Sequence, residues 1–246
     1  MILRGVALMP ASCGELVQGT SSGVNFLVSC PVNWYSLVSV RLGRGICDKV
    51  SPSSCSKAAR AARLLLDRLG YQEFGAEISV SSAIPVGKGM ASSTADIAAA
   101  CYAVAAALGI RLDPRLVAQV ALSIEPTDGT FVRGIALFDH VKGRIFEELG
   151  SPPPMGILAV DFGGEVDTLE FNGRPDLPEL NRRNEPVIAR ALSLVRLGIA
   201  KGDPRLVGEG ATISALANQS ILPKPRLEEL VGLARRIGAY GVNVAH

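Results

Sequence analysis

Pro85-Val86-Gly87-Lys88-Gly89-Met90-Ala91-Ser92-Ser93-Thr94 lies at a strand-to-helix junction, and its reading decides the fold. Ahead of it, Glu77 to Ser81 alternates: Ile78 and Val80 face one side, Glu77, Ser79 and Ser81 the other, the pattern of a half-buried strand. Behind it runs an alanine-rich helix that closes at Gly109. Its uncharged stretch from Ile97 to Ile110 is shorter than the roughly 20 residues a bilayer span needs, so it reads as a buried helix. Two glycines one residue apart allow backbone conformations other residues resist and keep side chains away from a ligand. The N–H groups that open the following helix, together with its dipole, form an anion site. Ser92, Ser93 and Thr94 add hydroxyls that can donate to phosphate oxygens or ligate Mg²⁺. Walker A does not fit, because Gly89 follows Lys88, and the dinucleotide fingerprint fails because Ser92 stands where its third glycine belongs. An ordinary glycine turn before a serine-capped helix is the bland alternative.

Outward from this junction the chain mixes strands and helices. Ile2 to Leu8 reads as a strand ending at Pro10; Val24 to Val32 and Trp34 to Leu42 read as neighbouring strands that a hairpin could join. Ser54 to Leu69 switches to helical spacing through Ala58, Ala61, Ala62, Leu65, Leu66 and Leu69. Asp113-Pro114 and Asp203-Pro204 are cap-plus-proline helix starts, the first helix ending near Glu125. Val132 to Phe138, Arg144 to Glu148 and Gly156 to Phe162 read as strands; helices are expected near 185–200, 204–218 and 225–237. Pro152-Pro153-Pro154 divides a first part, residues 1–150, from a second, 151–246. The fold class is α+β in two parts.

Composition narrows the functions. A net charge of +2, no Lys/Arg block and 5% aromatics argue against nucleic acid. Cys13, Cys30, Cys47, Cys55 and Cys101 contain no CxxC pair, and the only histidines are His140 and His246, so no zinc spacing can be assembled. Met1 to Pro10 holds no sustained apolar stretch, so the expectation is a soluble cytoplasmic protein without membrane partners. Glu125-Pro126-Thr127-Asp128-Gly129 brings two carboxylates just after a helix, where a bend at Pro126 could aim both at one site; the plainer reading is a helix end and a polar turn.

The glycine stretch resembles the second motif of the GHMP kinases, Pro-x-Gly-x-Gly-[Leu/Met]-[Gly/Ala]-Ser-Ser-[Ala/Thr], throughout. Pro10-Ala-Ser-Cys-Gly-Glu-Leu-Val-Gln-Gly19 occupies the place of the first motif. Both stretches are similar to the branch of L-threonine kinases that serve cobalamin synthesis. The resemblance implies a first part, 1–150, that binds ATP through Pro85, Gly87, Lys88, Gly89, Met90, Ala91, Ser92, Ser93 and Thr94 and contains a left-handed crossover, and a second part, 151–246, forming an α/β sandwich. It further implies Mg²⁺ held by Ser93 and Glu125, and transfer of the terminal phosphate to a small alcohol, L-threonine first. Asp128 is the candidate base or stabiliser of the substrate hydroxyl. Glu15 either contacts substrate or organises its loop, and otherwise reads as a surface turn residue. Homoserine or a mevalonate-type alcohol is the alternative acceptor, and a nucleotide-binding module without catalysis the alternative function. The third family motif begins at Gly238-Ala-Tyr-Gly241, and the sequence ends within it at His246.

Overall fold

A computed structural model describes residues 1–163 and 174–245. Strands β1 (Leu3–Ser21), β2 (Val24–Arg44), β3 (Lys49–Ser51), β4 (Phe74–Ser82), β5 (Ile135–Phe138) and β6 (Phe146–Gly150) form one sheet in the order β3-β4-β2-β5-β6, with β1 alongside β2. The helices are α1 (Ser56–Arg68), α2 (Ser92–Leu108), α3 (Pro114–Leu122), α4 (Leu177–Lys201), α5 (Pro204–Asn218) and α6 (Leu227–Ile237). The segment β3–α1–β4 returns parallel to itself and is the crossover unit of the sheet. Among the described residues, no helix is long and apolar enough to cross a membrane.

Two cores share this sheet. One face of β2 and β4 (Val38, Val40, Leu42, Ala76, Ile78, Val80) packs against α1, α2 and α3. Lower on the sheet, Leu16, Val17, Phe26 and Val28 pack against Ile188, Ala191 and Val195 of α4 and Val207 and Ala211 of α5. Strand β5 lies between the two: Ala136 and Phe138 enter the first core, Ile135 and Leu137 the second, so the unbroken apolar run Ile135-Ala-Leu-Phe138 is buried on both faces. Phe138 meets Phe131 and Phe146 edge-on at 5.5 and 5.8 Å. A fully buried side chain of that size stabilises by about 2–3 kcal/mol.

Local signals hold where they are local. Asp113 and Asp203 cap α3 and α5 by accepting from Arg115 N at 2.8 Å and Arg205 N at 2.9 Å. Long-range pairing alters the strands. Strand β1 does not end at Pro10 but continues to Ser21, with a register shift between Pro10 and Ala11 that accommodates a residue lacking an N–H. The two expected strands at 24–32 and 34–42 are one strand through Pro31; the hairpin is β1–β2, turning at Ser22 and Gly23, both at positive φ. Helix α4 starts at Leu177 rather than near Glu185 and carries Pro186 inside it. Residues 156–162 form no strand: the stretch is apolar but has no ladder partner among the described residues, and Leu158 is 86% exposed. His246 lies outside the described residues.

Candidate active site

The site begins with backbone geometry. Gly87, Gly89 and Ala91 have φ of 74°, 63° and 57°, while Lys88 and Met90 between them keep ordinary negative values. Such alternation turns successive N–H groups toward one concave side, an anion-binding nest. Ala91 is the N-cap of α2, and no side chain caps it, so the first-turn N–H groups have no side-chain partner at the cap. An alanine held in the left-handed region is strained by roughly 1–2 kcal/mol, and the surrounding contacts must offset that. One such contact is Ser12 N donating to Met90 O at 3.1 Å, which ties β1 to the loop.

The first turn of α2 is joined to the segment after α3 by consecutive residues. Ser93 Oγ donates to Glu125 Oε1. Thr94 Oγ1 and Thr127 Oγ1 lie 2.9 Å apart, and Asp128 N donates to Thr94 Oγ1 at 3.3 Å. Lys57 of α1 pairs with the other Glu125 oxygen at 2.5 Å. Thr127 N donates to His140 O at 2.9 Å, which anchors the bend to the end of β5. The turn at Pro126 therefore places Glu125 and Asp128 beside the same helix start.

Glu15 is not the surface turn residue of the plainer alternative. It lies within β1, is 1% exposed and pairs across the ladder with Ser29. Ser29 is the residue that sequence reasoning missed: 4% exposed, its Oγ donates to Asp128 Oδ1 at 3.2 Å. The pairing that brings Ser29 to Asp128 has no local signature. The segment after α6 joins the same place: Glu15 N donates to Val244 O at 2.9 Å, and Asn243 Nδ2 to Cys13 O at 2.6 Å. Gly14, at φ 69°, has its missing Cβ position 2.7 Å from the Val244 carbonyl carbon, so no side chain fits there.

The remaining candidates separate. Lys88 pairs with Asp161 at 2.9 Å, and that contact holds the Asp161 carboxyl below its usual range. Asp96 accepts from Ser36 Oγ at 2.5 Å and ties α2 to β2. Burial and then the Glu15 charge raise the Cys13 thiol above its ordinary value, opposite to what a nucleophilic thiol needs. Among the described residues no group of three or more His, Cys, Asp and Glu could hold a metal by itself. A hydroxyl and one carboxylate beside the glycine loop is nevertheless a donor set that fits Mg²⁺, which keeps waters and phosphate oxygens as its other ligands.

The α+β fold carries a strand–glycine loop–helix junction fastened to a carboxylate-bearing bend, an arrangement suited to binding an anion beside a carboxylate. Residues 56–136 match the GHMP kinases N terminal domain. The L-threonine kinase of Citrobacter freundii is 40% identical over 248 residues, an overlap of 98% of this chain and 83% of that relative. In structure, the homoserine kinase from Cytophaga hutchinsonii superposes with a TM-score of 0.66 at 18% identity, over 99% of this chain and 82% of that one. MDDEF in complex with MVAPP, AMPPCP and magnesium gives a TM-score of 0.64 at 17% identity, over 98% and 84%. This chain belongs to the GHMP kinases.

Proposed function

We propose that the protein transfers the terminal phosphate of ATP to the hydroxyl of L-threonine, giving O-phospho-L-threonine for cobalamin synthesis in the cytoplasm. Residues 1–150 supply the nucleotide-binding part and residues 151–246 the second part. The observation that carries the reading is the run of adjacent contacts from Ser93 to Glu125 and from Thr94 to Thr127 and Asp128. It fastens the candidate phosphate nest to the candidate acceptor carboxylate, so that both partners of a transfer meet at one helix start. The identity to a named L-threonine kinase supports the choice of acceptor, and the magnesium and AMPPCP of a fold relative support the choice of donor.

In this reading the loop Pro85 to Thr94 binds the triphosphate through the backbone N–H groups of Val86 onward. Ser93 and Glu125 hold Mg²⁺, which when bound neutralises phosphate charge. Asp128, fixed at its side chain by Ser29 and at its backbone by Thr94, accepts the proton of the threonine hydroxyl or orients it. The hydroxyl oxygen forms the new P–O bond as the bond to the ADP oxygen breaks. Glu15, buried across the ladder from Ser29, lines the acceptor side.

The test is ADP release with ATP and Mg²⁺, comparing L-threonine, L-serine, L-homoserine, mevalonate and no acceptor. Release driven by L-threonine above all others is expected. Release driven by homoserine or mevalonate instead would overturn the substrate, and silence with every acceptor despite ATP binding would overturn the kinase reading.

A further inference from the structure

The outer face of the sheet, opposite α1 and α2, carries an ordered pattern that the transfer reaction does not use. Strand register sets Arg4, Arg41, Glu77 and Lys49 side by side in one row across β1, β2, β4 and β3. The next row reads Val6, Ser39, Ser79 and Ser51. The row beyond starts Leu8 and Leu37, which are 54% and 38% exposed. Residues directly opposite in a ladder share a face, so charge, hydroxyl and apolar rows succeed one another along a single surface. Gly5, Val40 and Ile78, the neighbours on the inner face, are all buried.

The first two rows line a cavity of about 660 Å³. That lies within the roughly 300–1,000 Å³ of small-molecule sites. Its charges do not cancel. Arg41 is matched by Glu77 at 2.5 Å, the single carboxylate of the lining. Arg4 and Lys49 have no ion-pair partner among the described residues. Arg4 stands directly across the ladder from Arg41, a like-charged pair that is unfavourable on an empty face, while Lys49 stands across from Glu77, and three cations against one carboxylate leave the face positive. An anion offsets that repulsion. A guanidinium and an ammonium with a row of serine hydroxyls match the several acceptor oxygens of a phosphate group. The leucine row beside them suits an apolar substituent. A chain of net charge +2 with three cations bordered by leucines does not extend into the long basic track that a nucleic acid needs.

We propose that the cavity between Arg4, Lys49 and Ser79 on the outer face binds a small organic phosphate with an apolar part, at a site separate from the glycine loop. Phenyl phosphate is the probe, titrated into the ¹⁵N-labelled full chain with inorganic phosphate and phenol as controls. Residue-resolved amide shifts distinguish this face from residues 87–94. The expected result is saturable change at residues 4–6, 39–41, 49–51 and 77–79 with phenyl phosphate, weaker binding of inorganic phosphate, and no change with phenol. Arg4→Gln and Lys49→Gln should each weaken it by about tenfold, the loss of one charged hydrogen bond. Shifts confined to residues 87–94, or outer-face shifts undiminished in both variants, would overturn the proposal. Neither outcome depends on which alcohol the enzyme phosphorylates.

Discussion

Residues 85–94 and the group Glu15, Ser29 and Asp128 meet at one helix start, yet they are assembled over very different ranges of sequence. The loop is made within ten residues: two glycines, an uncapped helix start and three hydroxyls. The proposed acceptor side draws on β1, β2 and the bend after α3, and is closed by Val244 pairing with Glu15. The locally built loop depends on distant chain only through contacts such as Ser12 N to Met90 O. A site gathered from distant strands depends on register, and a one-residue slip would turn its side chains to the other face.

That contrast can be broken at several points. The largest effect is expected at the junction: Ser93→Ala or Glu125→Ala should lower kcat on the order of 10³, with melting temperature nearly unchanged, measured by ADP release and thermal denaturation. Equal losses of stability and rate would make the Ser93–Glu125 bond a structural tie alone. On the acceptor side, Asp128→Asn should cost on the order of 10² in kcat. Ser29→Ala should cost about tenfold, because it removes one hydrogen bond to a charged group. Ser29→Ala should leave the KM for ATP in place; a raised KM for ATP would place Ser29 on the nucleotide side.

Gly14→Ala tests the long-range closure. Its Cβ would press on Val244, and its positive φ adds strain. The expected loss is about 1–3 kcal/mol, read as a fall of several degrees in melting temperature. No fall would mean that the Glu15–Val244 pairing does not hold the second part to β1. The smallest effect concerns Asp96. Burial raises its carboxyl above the ordinary value, against the lowering bonds from Ser36 and Cys55. A carboxyl raised on folding holds its proton more tightly in the folded state. Stability therefore falls as pH rises from the usual aspartate range through the raised value, and stays lower above it. Asp96→Asn should remove that slope, so that melting curves of wild type and variant diverge with rising pH; parallel curves would deny the contribution.

The same contrast explains what the sequence made legible. The loop, α2 and the Asp113-Pro114 and Asp203-Pro204 starts were readable because their causes lie within a turn or two of the residues concerned. The continuity of β2 through Pro31 was not, since a proline reads as a stop unless the register shift opposite it is known. The apolar run 156–162 suggested a strand because composition reports hydrophobicity, not the presence of a ladder partner. Glu15 was readable as a residue of interest only through the motif around it. Its burial, and the role of Ser29, follow from a hairpin register that no short stretch encodes.

The most direct test of the account is ³¹P NMR of the protein with ATP, Mg²⁺ and L-threonine. The account predicts a phosphomonoester signal that coincides with added O-phospho-L-threonine and grows as the γ-phosphate signal of ATP declines. Loss of the γ-phosphate with only inorganic phosphate appearing, or no loss under conditions where ATP binds, would contradict it.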